Sequence, residues 1–144
     1  MTRQKSIQTP LEDQFYAYRG TVMRVIDGDT LELGIDFGFG IYTVQTFRLY
    51  GIDAPEKRTA AGKKTLEYLE FLFPVENEPR IYIRTIKNRG KVASKEKFGR
   101  FLVEIYACVD DLNAGFASSV NQKLIDEGLA KPYFGHGNGG KTRK

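Results

Sequence analysis

Cysteine and histidine are almost absent from this chain of 144 residues, which has one of each. A lone Cys108 excludes an intramolecular disulfide and a cysteine-based zinc cluster. It follows Ile105, Tyr106 and Ala107 in an apolar stretch and reads as a buried, inert thiol in a strand. No base stands near it in the sequence to make it a nucleophile. His136 lies in a glycine-rich tail, which removes histidine-dyad chemistry and a histidine-rich metal site. No apolar run approaches the roughly 18–20 residues that span a bilayer. The first ten residues lack the hydrophobic core of a secretory signal. The expectation is a cytoplasmic chain with no membrane partner, without internal repeats or a second domain.

What is present is ordinary in amount and informative in placement. Apolar residues make up 41% and charged residues 28%, as in a soluble globular domain. The net charge of +4 is concentrated. Between Arg80 and Arg100 stand Arg84, Lys87, Arg89, Lys91, Lys95 and Lys97 against Glu96. The end of the chain adds Lys131, Lys141, Arg143 and Lys144 without an acid. Local excess of this kind suits a polyanion, although a solvated basic loop would look the same from charge alone.

Residues 1–14 are polar and read as a loose arm, residues 15–134 as the folded domain, and residues 135–144 as a flexible, glycine-rich basic tail. Strands are expected over residues 18–26, 30–37 and 41–52. The first two are separated by the Asp27-Gly28 turn signal and the next two by Gly38 and Gly40. A helix should follow the loop at residues 57–62 and stop at Pro74, with Leu66, Leu69, Leu72 and Phe73 as its apolar stripe. Strands over residues 80–86 and 100–108 come next. A short helix over residues 118–127 follows, with Val120, Leu124 and Ile125 inward and Gly128 at its end. Five strands with helices after the third and fifth fit an α+β fold: a five-stranded OB-fold-like β-barrel with two or three flanking helices.

Two segments carry the chemistry. Asp27-Gly28-Asp29-Thr30 and the run from Phe47 to Glu56 both end strand-like stretches, so their acids should emerge together at the mouth of the barrel. They bring carboxylates and Arg48; Lys97-Phe98-Gly99-Arg100 adds a second arginine. Oxygen ligands for a hard cation beside guanidinium groups are the equipment for binding and splitting a phosphodiester. For Asp27 simple turn chemistry competes with any metal role. Glu56 has the rival reading of a loop acid paired with Lys57 or Arg58.

These segments resemble the staphylococcal nuclease family in order and spacing. Val25-Ile26-Asp27-Gly28-Asp29-Thr30 is similar to its first motif, and Phe47-Arg48-Leu49 with Ile52-Asp53-Ala54-Pro55-Glu56 to its second. Lys97-Phe98-Gly99-Arg100 resembles the third, and Asn121 through Ala130 the closing helix. The resemblance covers about residues 18–134. It implies that Asp29, Asp53 and the Ala54 backbone carbonyl hold one Ca2+ ion, favoured over Mg2+. Arg48 and Arg100 would grip the phosphate, Glu56 would act as general base, and Lys97, Phe98 and Tyr133 would contact substrate. Ala54 replaces a frequent threonine, Phe98 a frequent tyrosine, and Tyr133 sits one residue early. The hairpin at residues 34–42 and the connection at residues 109–119 are longer than in secreted relatives.

The resemblance implies a monomeric, Ca2+-dependent nuclease acting on DNA and/or RNA, single-stranded or frayed, with little sequence specificity. It would break the bond to the 5′ oxygen and leave 3′-phosphate products. Without a leader, such an enzyme implies restraint by low cytosolic Ca2+ or a phage- or plasmid-borne gene. The alternative is a non-catalytic module binding single-stranded nucleic acid on the same fold, which loss of the acids or arginines would mark. A structural barrel whose basic loop binds a protein would leave Asp29, Asp53, Glu56, Arg48 and Arg100 without a common purpose.

Overall fold

A computed structural model of the protein describes residues 16–86 and 100–133. The expected arm, the tail with His136, and Lys97 and Phe98 lie outside the described residues.

The chain begins with a meander of β1 (Ala17–Asp27), β2 (Thr30–Gly38) and β3 (Ile41–Leu49). A two-residue strand β4 (Ile52–Asp53), helix α1 (Ala60–Leu72), β5 (Arg80–Thr85) and β6 (Phe101–Tyr106) follow. Helices α2 (Val109–Ala114) and α3 (Val120–Asp126) and the two-residue β7 (Lys131–Pro132) complete the described chain. Strands β1-β2-β3-β6-β5 close into a barrel, as expected, and β4 pairs with β7 outside it. The barrel is mixed, because β3 and β6 run parallel while its other pairs are antiparallel. Among the described residues no helix is long and apolar enough to cross a membrane.

Alternation along the strands fills the interior. Leu31, Leu33 and Ile35 of β2 meet Val22, Ile81, Ile83, Val103 and Ile105, all essentially inaccessible to solvent. Leu69 of α1 and Leu124 of α3 extend the same core. Helix α1 buries Gly62, Thr65 and Leu69, with Phe73 just beyond its end, so Leu66 sits at the margin of the stripe expected for it. Thr59 caps this helix by accepting from Gly62 N–H at 2.9 Å.

Three local expectations are corrected. The third strand does not run to residue 52: the chain turns at Tyr50 and Gly51, where Gly51 takes φ 83°, a left-handed conformation favouring glycine. The strand expected to reach Cys108 ends at Tyr106, and Cys108 is exposed, preceding α2 with extended backbone. The connection after it contains the short helix α2, whose six residues give too little periodicity to recognise.

Where β3 and β6 part, a side chain from α3 takes over. Asn121, fully buried, donates to the carbonyls of Tyr50 at 2.8 Å and Val103 at 3.1 Å, and accepts from Ile105 N–H at 3.0 Å. Asn121→Ala would strand the Tyr50 carbonyl and the Ile105 N–H, while the Val103 carbonyl keeps the Tyr50 N–H at 2.8 Å. It is expected to lower stability by about 3 kcal/mol or more in urea unfolding. A loss no larger than that of an exposed substitution would mean that water replaces the amide.

Candidate active site

The site forms where the β1–β2 turn meets the end of β3. Gly28 and Asp29 form the connection between paired Asp27 and Thr30. Asp27 Oδ1 accepts from Asp29 N–H at 3.2 Å, the turn chemistry that competed with a metal role. Gly28 permits a close approach, since a Cβ there would lie 2.7 Å from both Ala54 Cβ and Thr65 Cγ2. The β1–β2 turn can therefore lie directly against the loop that carries Asp53 and Ala54.

Asp29 is 8% exposed and accepts from three donors among the described residues. Its Oδ2 accepts from Ala54 N–H at 3.0 Å and from Arg48 Nη2 at 3.3 Å. Its Oδ1 accepts from the Thr30 hydroxyl at 3.1 Å, and that hydroxyl accepts from Arg100 Nη1 at 3.0 Å. Arg48 Nη2 also reaches Asp53 Oδ1 at 3.2 Å, bridging the two acids. Burial pushes the Asp29 carboxyl above its usual range; the Ala54 N–H and Arg48 pull it down, and nearby Asp27 adds to the rise. Burial is the largest of these effects.

The structure thus brings Asp29, Arg48, Asp53 and Ala54 together and joins Arg100 to them through Thr30. Glu56 is held differently. Its carboxylate accepts from Arg58 Nη2 at 3.3 Å, with both side chains largely in solvent. Its backbone is pinned, because the Glu56 carbonyl accepts from Thr59 N–H at 3.0 Å and from the Thr59 hydroxyl at 2.7 Å. Tyr133 reaches the site from the far end of the described chain. Its N–H donates to the Gly51 carbonyl at 2.8 Å, and the Arg48 guanidinium carbon lies 5.8 Å from its ring centroid. Sequence reasoning missed the part of Thr30: it stands in the first motif, but nothing in its neighbours reveals a bond to Arg100.

Among the described residues no group of three or more histidines, cysteines and acids clusters in a metal-holding arrangement. The hard donors brought together here are the carboxylates of Asp29 and Asp53, joined through Arg48. An all-oxygen pair of this kind suits one hard cation completed by water.

A match to the family described as staphylococcal nuclease homologue covers residues 46–144, more than half of the chain. The chain is 30% identical over 125 residues to an Escherichia coli protein called Protein ParB, an alignment covering 83% of this chain and 59% of that protein. It is 30% identical over 114 residues to a protein of Escherichia coli O157:H7 described as an uncharacterized endonuclease, covering 79% of this chain and 60% of that one. A second Escherichia coli protein of the same description matches to the same extent. The chain thus spans less than two thirds of the length of these relatives.

Proposed function

The chain belongs to the staphylococcal nuclease homologue family, and from that premise we propose that it is a Ca2+-dependent nuclease. It hydrolyses DNA and/or RNA with little sequence specificity, breaking the bond to the 5′ oxygen and leaving a 3′-phosphate. The observation that carries this reading is the approach of two guanidinium groups to one buried carboxylate from its two oxygens. Arg48 reaches Asp29 Oδ2 directly, and Arg100 reaches Oδ1 through Thr30. The description of two relatives as endonucleases supports it.

Asp29, Asp53 and the Ala54 carbonyl would hold the ion. When bound, it supplies positive charge that offsets charge building on the scissile phosphate. Arg48 and Arg100 bind the nonbridging oxygens, where a planar fork of donors meets two acceptors and strengthens as the phosphorus becomes five-coordinate. Glu56 orients the attacking water and takes its proton. Its exposed side chain turns away from Arg58 to do so, on a backbone that Thr59 holds still. Tyr133 lies against Arg48, where its ring offers a stacking face to an unpaired base. Lys97, outside the described residues, is assigned to a neighbouring phosphate, and Phe98, likewise outside them, meets substrate without the hydroxyl contact that a tyrosine would make. The enzyme acts as a monomer on single-stranded or frayed substrate, in the cytoplasm.

Incubation with single-stranded DNA in Ca2+, in Mg2+ or in a chelator tests the proposal. Cleavage in Ca2+ that the chelator abolishes is expected, with products bearing a 3′-phosphate. Retardation without cleavage in every condition would replace the enzyme with a binding module on the same barrel.

A further inference from the structure

Thr30 is 2% exposed, and its hydroxyl serves two groups of opposite charge at once. A hydroxyl has one proton and two lone pairs. Here the proton goes to Asp29 Oδ1 and a lone pair receives Arg100 Nη1. We infer that Thr30 is a positioning residue, fixing the Asp29 carboxylate and the Arg100 guanidinium relative to each other; the inference rests on the nuclease reading above.

The backbone makes Thr30 suited to this. It opens β2 and is paired on one side with Asp27 of β1 and on the other with Arg48 of β3. Threonine is stiff at χ1, so a fixed backbone leaves its oxygen little freedom. The hydroxyl thus carries the rigidity of the barrel to two longer side chains. Asp29 is fastened through Oδ2 to Ala54 and Arg48, and the Thr30 bond to Oδ1 fixes the remaining rotation of the carboxylate. Arg100 leads into β6, whose first residue pairs with Phe47, so its backbone starts near the site. The bond to Thr30 is one of the contacts that hold the end of its long side chain.

Thr30→Val keeps the shape and removes the hydrogen bonds; Thr30→Ser keeps the hydroxyl. Loss of a group that orients ligands and catalytic side chains typically lowers activity or metal affinity about 10- to 100-fold. Thr30→Val is expected to lower kcat by that order with KM little changed, and to weaken Ca2+ binding measured by calorimetry. Thr30→Ser should recover most of both. In the Arg100→Lys background the valine substitution should cost less than it does alone, because the partner is already altered. Side-chain 15N relaxation of Arg100 in the cation-free protein gives a readout independent of turnover, with faster motion expected in Thr30→Val than in wild type or Thr30→Ser. Wild-type kcat and Ca2+ affinity in Thr30→Val, equal losses in both variants, or unchanged Arg100 motion would overturn the inference. A wild-type protein that does not cleave would remove the nuclease reading, and the relaxation measurement would still decide the role of Thr30.

Discussion

Arg48→Lys is expected to reduce hydrolysis about 10²- to 10³-fold, equivalent to about 2.7–4 kcal/mol of lost transition-state stabilisation. Charge is conserved in this substitution, so the loss comes from geometry. A guanidinium presents five donors in a rigid plane, whereas an ammonium is a compact point charge on a flexible stem. Arg48 uses one nitrogen to span Asp29 and Asp53 at 3.3 and 3.2 Å, which leaves its other donors available to a phosphate. A lysine satisfying the two acids would have to leave them to reach the substrate. The thermal midpoint should change little, because a cation still balances a carboxylate that is 8% exposed. Steady-state kinetics beside a melting curve decides the matter. A variant that melts normally and cleaves at the wild-type rate would show that charge alone suffices.

Glu56→Gln is expected to lower kcat by about 10²–10⁴, the range spanned by removal of a general base. The substitution preserves shape, and the amide oxygen can still accept from Arg58, so folding and retention of single-stranded DNA should persist. Glu56 contributes little to the packing that holds the site together, being largely exposed, which makes the variant a clean test. Unchanged turnover would leave Glu56 as the loop acid paired with Arg58 that its surroundings also allow. Electrophoretic retardation beside the rate assay separates lost chemistry from lost binding.

The barrel was legible in the sequence because its strands alternate and its turns carry glycine. Leu31, Leu33 and Ile35 point inward at a period of two, and Asp27-Gly28 breaks the chain where β1 ends. Misreadings arose where tertiary contacts overrode local pattern. Nothing between Ile41 and Ile52 announces that the strand stops at Leu49, since Gly51 could equally occupy a bulge. Cys108 looked buried because its neighbours are apolar, but the strand had already ended at Tyr106. At the candidate site, the acids and arginines were visible as residue types. Their connections were not. That Arg48 bridges two acids, and that Thr30 links Asp29 to Arg100, depends on registers between strands far apart in sequence.

The Asn121 tie has a consequence for synthesis on the ribosome. Asp29, Arg48 and Asp53 are made early, but the chain around them is fastened by residues made late. Asn121 closes the gap beside Tyr50 and Val103, and Pro132 and Lys131 pair with Ile52 and Asp53. A nascent chain released only as far as α1 contains the residues of the meander but neither those of β6 nor Asn121, which bridges to it. Asp29, Arg48 and Asp53 touch one another within the early part of the chain, but Arg100 and the ties at Tyr50 and Asp53 join them only after residues 100–132 are made.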